Sequence, residues 1–324
     1  MYENTKTPAA GITAEGLGKR YGDLWALRDF DLTVPTGSVL GLLGHNGAGK
    51  TTVVRILATL SQPTTGRATV AGHDVVNDAA AVRASIGLAG QAATVDGLLS
   101  ARANLELVGR LYRFSRADSK RRAAELLERL DLVDAADRLV RTFSGGMRRR
   151  LDLAATMVAA PPVLFLDEPT TGLDPRSRAD LWELLRSLVR DGTTVILTTQ
   201  YLEEADQLSD RIVVLDHGGT VAEGTPAELK AKVGGERLRI TVSDANQLHA
   251  VGGALHAFAS GSAVIDHATL SATIPVEVDA NLMHVVRALD GAGIAATNIE
   301  RREATLDDVF FALTERQPVT EDVA

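Results

Sequence analysis

The sequence predicts an α/β chain: a largely parallel sheet with helices on both faces, followed by a second, small α+β unit. Three observations carry this. Residues 44–52, GHNGAGKTT, match the pattern GxxxxGK[ST], with the apolar run Val39-Leu40-Gly41-Leu42-Leu43 before them and a helical pattern (Val53, Val54, Ile56, Leu57, Leu60) running out to Pro63. From Pro161 to Gly224 strand and helix alternate. Beyond Gly234-Gly235 the element order becomes β-α-β-β-α-β.

Each element has a local reason. Residues 1–10 and 317–324 read as polar tails. Strand-like runs from Ile12 to Gly44, broken by Gly22-Asp23 and Pro35-Thr36-Gly37, predict a small antiparallel sheet ahead of the glycine-rich loop. More strand and turn follows at Ala68-Thr69-Val70 and Ile86-Gly87-Leu88. Residues 100–140 switch to a helical period, where Ser115 and Asp118 form a capping pair ahead of Leu126, Leu127 and Leu130. VLFLD, at 163–167, is apolar enough for a strand buried on both faces. Asp174-Pro175 opens a helix that Gly192 closes, and TTVILTT is the next strand.

Gly234-Gly235 reads as a linker, so the domains are expected at 11–235 and 236–316. The second contains a strand at Leu238–Val242, a helix at Ala245–Phe258 and strands at Ser262–Asp266 and Thr269–Ile274. A helix at Ala280–Ala292, a strand at Asn298–Arg302 and a helix at Thr305–Thr314 complete it. This is the order of a split βαβ, ferredoxin-like module. The stretch Leu306–Phe311 suits either a docking helix or a hydrophobic cap.

Composition narrows the function. The 324 residues suit one large and one small domain, and 45% hydrophobic residues are ample for their cores. A net charge of −8 argues against nucleic acid as a partner. The absence of cysteine excludes disulfides and cysteine-based zinc sites. Seven histidines lack the paired spacing of a metal site, and Trp25 and Trp182 read as packing residues. No apolar run reaches the roughly 18–20 residues of a membrane helix. Met1–Pro8 is polar and has no signal-peptide core. The expectation is a soluble, cytoplasmic chain whose membrane role, if any, runs through a partner.

Three elements carry chemistry. In the loop Gly44-His45-Asn46-Gly47-Ala48-Gly49, backbone N–H groups converge on phosphate oxygens and the following helix adds its positive end. Lys50 supplies a charge near the β- and γ-phosphates, Thr51 a hydroxyl for Mg²⁺, and Thr52 continues the loop. In VLFLDE, Asp167 suits Mg²⁺ held through water, and Glu168 suits activation of the attacking water. Taken alone, Asp-Glu-Pro at a strand end is a turn; its place after a phosphate loop gives it a role. Phe143-Ser144-Gly145-Gly146-Met147 exposes another helix N-terminus, a second anion site that one nucleotide does not need. That surplus makes sense if it caps ATP held by another subunit. Arg148–Arg150 reads as a solvated helix face.

In this order the motifs resemble the ABC-transporter ATPase family over about residues 11–235. GHNGAGKTT is similar to its Walker A loop, VLFLDE to Walker B, and FSGGM to the signature usually written LSGGQ. The resemblance implies a P-loop NTPase core of ABC type: a mixed sheet, an antiparallel β subdomain and a helical subdomain at about 91–160. It also implies a Q-loop glutamine at Gln91 that senses Mg²⁺, a D-loop aspartate at Asp174 that crosses a dimer interface, and an adenine-stacking ring at Tyr21. Ser144, Gly145, Gly146, Met147 and Asp174 would contact nucleotide on the opposite subunit. Gln200 stands where the family usually has its switch histidine; glutamine can donate a hydrogen bond but carries no proton or charge.

TTQYLEEADQLSDRIVVLDHG and the C-terminal TLDDVFFALTE look like the daunorubicin/doxorubicin-resistance ATPases of bacterial exporters. The implied function is an ATP- and Mg²⁺-dependent ATPase. It would work as a homodimer, or beside a similar ATPase subunit, at the cytoplasmic face of the membrane with a separate permease. Catalysis would rest on Glu168, Gln200, Lys50 and Gln91, and Mg²⁺ on Thr51, Gln91 and Asp167. A weakly hydrolysing regulatory protein and an exporter ATPase for lipid or polysaccharide remain alternatives. Ribosome or DNA-repair relatives usually carry two cores or a long coiled coil, and this chain has neither.

Overall fold

The computed structural model describes residues 10–90, 94–232, 236–261, 263–276 and 281–314. It divides into two compact units, Met1–Glu223 and Gly224–Ala324. Gly234-Gly235, most of both expected tails and Gln91 lie outside the described residues, whereas Ala10 already pairs with Pro35.

The first unit opens with β1 (Ala10–Tyr21) and β2 (Leu24–Pro35), an antiparallel pair joined at Gly22, whose φ of 57° suits glycine. Then come β3 (Val39–Leu43), α1 (Lys50–Leu57), β4 (Thr65–Val70), β5 (His73–Asp74), α2 (Ala79–Ala84) and β6 (Ile86–Ala89). Helices α3 (Ala101–Leu111), α4 (Arg116–Arg129) and α5 (Gly145–Thr156) form the helical stretch. Ser115 caps α4 as expected: its hydroxyl accepts from the Asp118 N–H at 3.0 Å and donates to the Asp118 carboxylate at 2.6 Å. The unit ends with β7 (Val163–Asp167), α6 (Pro175–Arg190), β8 (Thr194–Thr199), α7 (Leu202–Leu208), β9 (Arg211–Asp216) and β10 (Gly219–Gly224).

Two sheets result. The antiparallel one has the order β2-β1-β4-β5. The larger runs β10-β9-β3-β8-β7-β6, and all its pairings from β9 to β6 are parallel. Side-chain alternation on β7 shows how it is held. Leu164 and Leu166 enter one apolar core with α4, α5 and α6, while Val163 and Phe165 enter another with α1 and the antiparallel sheet. With both faces covered, the ends of these strands are where the sheet can present polar groups.

In the second unit α8 (Pro226–Lys232) precedes β11 (Glu236–Val242), α9 (Leu248–Ala254), β12 (Val264–Asp266), β13 (Ser271–Val276), α10 (Leu282–Gly291), β14 (Ala296–Glu303) and α11 (Leu306–Thr314). The sheet order β12-β13-β11-β14, antiparallel throughout, is that of a split βαβ module. The division falls before residue 235 because α8 packs on α11. The helix expected over Ala245–Phe258 is broken instead: 3₁₀ turns at Ala245–Gln247 and His256–Phe258 flank α9, whose Gly252-Gly253 weakens helix propagation. Leu306 and Val309 of this stretch are buried, so these two serve packing.

Because Phe165 is fully buried one turn of the pleat before Asp167, Phe165→Ala should cost about 3–5 kcal/mol. Urea denaturation checks this, and a loss below ~1 kcal/mol would mean that β7 is not clamped as described.

Candidate active site

The loop between β3 and α1 is shaped by close approach. A Cβ on Gly44 would lie 2.4 Å from the Leu215 carbonyl oxygen, and one on Gly49 2.9 Å from that of Ala26. Gly49 has φ 110° and Gly47 φ 88°, with open space around the latter. Ala48 is buried beneath them, and its carbonyl accepts from the Gly218 N–H at 3.1 Å. His45 and Asn46 lie on the outer side, with the His45 ring spanning the Asn46 carbonyl and the Asp216 carboxylate, both at 2.7 Å. Ligand atoms of His45, Asp216 and His217 lie within 4.8 Å of one another, a proximity that histidine spacing in the sequence does not reveal.

Lys50 opens α1 and is only 6% exposed. Its ammonium donates to the carbonyls of Gly44 at 2.6 Å and His45 at 3.0 Å, so the loop wraps its own cation. Burial lowers its pKa, and the charges of Glu168 and Asp167 oppose that shift. Thr51 is exposed on the first turn and Thr52 is half-buried beside it.

At the end of β7, Asp167 Oδ1 accepts from the Thr198 hydroxyl at 2.5 Å. That hydroxyl in turn accepts from the Glu168 N–H at 3.2 Å, and the Thr198 carbonyl accepts from the same N–H at 3.0 Å. Glu168 has φ 46°, a left-handed conformation costly for a non-glycine residue and typical of functional turns. Its carboxylate accepts from the Thr171 hydroxyl at 3.2 Å. Thr198, invisible as a functional residue in a strand of threonines and aliphatics, thus registers both acids against β8. A hydroxyl and a carboxylate on hard oxygens, Thr51 and Asp167, fit Mg²⁺ by donor chemistry.

The remaining predicted residues are placed as follows. Tyr21 is 49% exposed at the end of β1, with the Lys19 ammonium 5.1 Å from its ring centre. Gln200 is exposed immediately after β8. Ser144 and Gly145 are exposed at the start of α5, where the Ser144 hydroxyl caps Met147 at 3.3 Å. Gly146 is buried, since a Cβ there would meet the Ser177 hydroxyl at 2.5 Å. Met147 packs on the protein's own core. Asp174 caps α6, accepting from the Ser177 N–H at 2.9 Å and hydroxyl at 2.7 Å; these bonds lower its pKa. Gln91 lies outside the described residues.

The arginine run is not the solvated face expected. Arg148, Arg149 and Arg150 are all half-buried and reach backbone carbonyls.

A glycine-shaped loop between strand and helix, a buried lysine and paired acids at the end of a parallel strand of the same sheet define a nucleoside-triphosphate-binding ATPase. The ABC transporter family model matches residues 27–171. The daunorubicin resistance ATP-binding protein DrrA3 of Streptomyces coeruleorubidus is 55% identical, over 94% of this chain and 95% of that one. The Nod factor export ATP-binding protein I of Rhizobium meliloti (strain 1021) is 38% identical over 96% and 90%. Among solved structures, the dimeric ATP-binding cassette MJ0796 bound to ADP and Pi aligns with TM-score 0.60 and 27% identity, over 66% of this chain and 98% of that one. The chain belongs to the ABC-transporter ATP-binding family, and its activity is ATP hydrolysis.

Behind the switch position, Glu204 on α7 is fully buried, and neither carboxyl oxygen has a hydrogen-bond partner of good geometry. Burial raises its pKa; donors on Thr199, Thr170 and Trp182 and the Arg178 charge counter this only in part. Since the folded value lies above the unfolded one, the native state holds a proton that the unfolded chain has already lost, and stability falls as pH rises through this interval. Glu204→Gln should therefore flatten the fall in Tm as pH rises above the ordinary carboxylate range. An unchanged pH slope in thermal melts would remove Glu204 as its source.

Proposed function

We propose that this chain drives an exporter, with two copies closing head to tail over two ATP molecules. The observation that carries the reading is geometric: the loop wraps the buried Lys50 ammonium with two of its own carbonyls, while Thr198 fixes both Asp167 and Glu168 at the end of a strand of the same sheet. Lys50, His45, Asn46 and the loop amides would bind the phosphates, Tyr21 would stack on the base, and Thr51, Asp167 and Gln91 would hold Mg²⁺. When bound, that ion neutralises charge developing on the transferred phosphoryl group. Glu168, held at its turn by Thr198, would accept the proton of the attacking water. Gln200 would orient that water by a neutral hydrogen bond.

The exposed Ser144 and Gly145 at the start of α5 suit contact with a nucleotide held by the opposite copy. Met147 and Asp174 would support that surface from within, since one is packed on the core and the other engaged as a cap. A separate permease would anchor the subunit at the cytoplasmic face of the membrane; among the described residues no helix is long and apolar enough to cross one. A hydrophobic drug is the cargo favoured by the 55% relative, and the Nod factor export relative keeps other cargoes as the second reading.

In purified protein, Glu168→Gln should abolish turnover, by about 10²-fold or more, while leaving ATP binding intact and strengthening ATP-dependent dimerisation. Wild-type hydrolysis by that variant would remove the base from its role. Ser144→Arg should prevent dimer closure, read by light scattering with ATP, and spare ATP binding to the monomer. Equal loss of both would contradict a contact in trans. Membrane vesicles carrying the subunit and its permease should accumulate doxorubicin only with ATP; ATP-driven activity indifferent to the drug would favour another cargo.

A further inference from the structure

We propose that Arg149 and Asp152 on α5 are positioning residues that hold the catalytic end of the sheet in register with the helix that starts at Ser144. The Arg149 guanidinium donates through Nε to the Pro169 carbonyl at 2.7 Å and through Nη1 to that of Gly90 at 2.8 Å. Its Nη2 donates to the carbonyls of Asp167 at 3.2 Å and Glu168 at 3.3 Å. One side chain therefore gathers the backbone of both site acids and the residue before Gln91. One helical turn on, Asp152 is 5% exposed, and its Oδ1 accepts from the Thr94 N–H at 2.8 Å, the Thr94 hydroxyl at 3.0 Å and the Val95 N–H at 3.3 Å. The two described segments that border Gln91 are thus each tied to α5.

The chemistry suits arginine alone. A planar fork with five N–H groups can serve several carbonyls at once, whereas a lysine ammonium is a compact point donor. Half-burying the guanidinium is costly, which depresses its pKa; Asp152 and Asp167 supply the opposing charge. Its partners are neutral backbone oxygens at the catalytic turn, so removing it frees that turn without uncovering any group that binds phosphate. Any displacement of the start of α5 passes along a rigid helix to the carbonyls of Asp167 and Glu168. The pair acts by placing the acids.

This inference rests on the assignment of Asp167 and Glu168 made above, and its test separates the two. Full-length wild type, Arg149→Gln, Arg149→Lys, Asp152→Asn and Glu168→Gln are compared for steady-state ATP hydrolysis, binding of a fluorescent ATP analogue, and thermal melting. Arg149→Gln should lose at least about tenfold in kcat, while the KM for ATP and the analogue's Kd stay within about twofold. Arg149→Lys should recover part of kcat. Asp152→Asn should lose less, and the double variant should lose less than the product of the single losses, because both act on one arrangement.

Wild-type kcat in folded Arg149→Gln overturns the proposal, as does a fall in kcat matched by equal falls in nucleotide binding and melting temperature. Should Arg149→Gln not fold, Arg149→Lys and Asp152→Asn give the same split between kcat and KM, and its absence in both overturns the proposal. Activity remaining in Glu168→Gln would instead overturn the assignment of the base.

Discussion

Burial of the parallel sheet on both faces is the constraint on which the rest of the structure depends. Strands β3, β7 and β8 present aliphatic side chains alternately to two apolar cores, and the polar side chains buried on β8, Thr194, Thr198 and Thr199, stand at its two ends. Polar groups collect where the strands end, and adjacent parallel strands end together. The phosphate loop after β3, the acids after β7 and Gln200 after β8 are neighbours for this reason, although more than a hundred residues separate the first from the last.

A second consequence concerns how that edge is kept in order. Backbone groups leaving a sheet lose their ladder partners and need others. Thr198 bonds to Asp167 and Glu168 from β8, while Arg149 gathers carbonyls from α5. Lys50 satisfies two carbonyls of its own loop. The site is therefore bound together largely through backbone oxygens, which lets the side chains of Glu168, Thr51 and Gln200 remain available for chemistry. The left-handed backbone of Glu168 is tolerated because two acceptors on Thr198 hold its N–H.

Most of the fold was legible because its signals are local. The Ser115–Asp118 cap, Asp174-Pro175 at the start of α6, the unbroken apolar run of β7 and the β-α-β-β-α-β order each depend on residues a few positions apart. The long helix expected at Ala245–Phe258 failed where Gly252-Gly253 undercut a plausible pattern. The arginine run misled for a different reason. Charge in sequence suggests solvent, but whether a guanidinium meets water or carbonyl oxygens depends on strands that are distant in the chain.

By itself, the sequence pointed to residues suited to binding phosphate, holding a metal and activating water, because that suitability belongs to side-chain chemistry and to glycine spacing within one loop. It also determined the order of strands and helices through hydrophobic period and caps. Only the tertiary structure decided that Arg149 faces the carbonyls of both acids, that Thr198 bonds to them across strands, and that Met147 turns into its own core while Asp174 caps a helix. Apart from the Asp174 cap, which lies within one helical turn, these are contacts between segments distant in the chain, set by strand order and packing, and no local pattern encodes them.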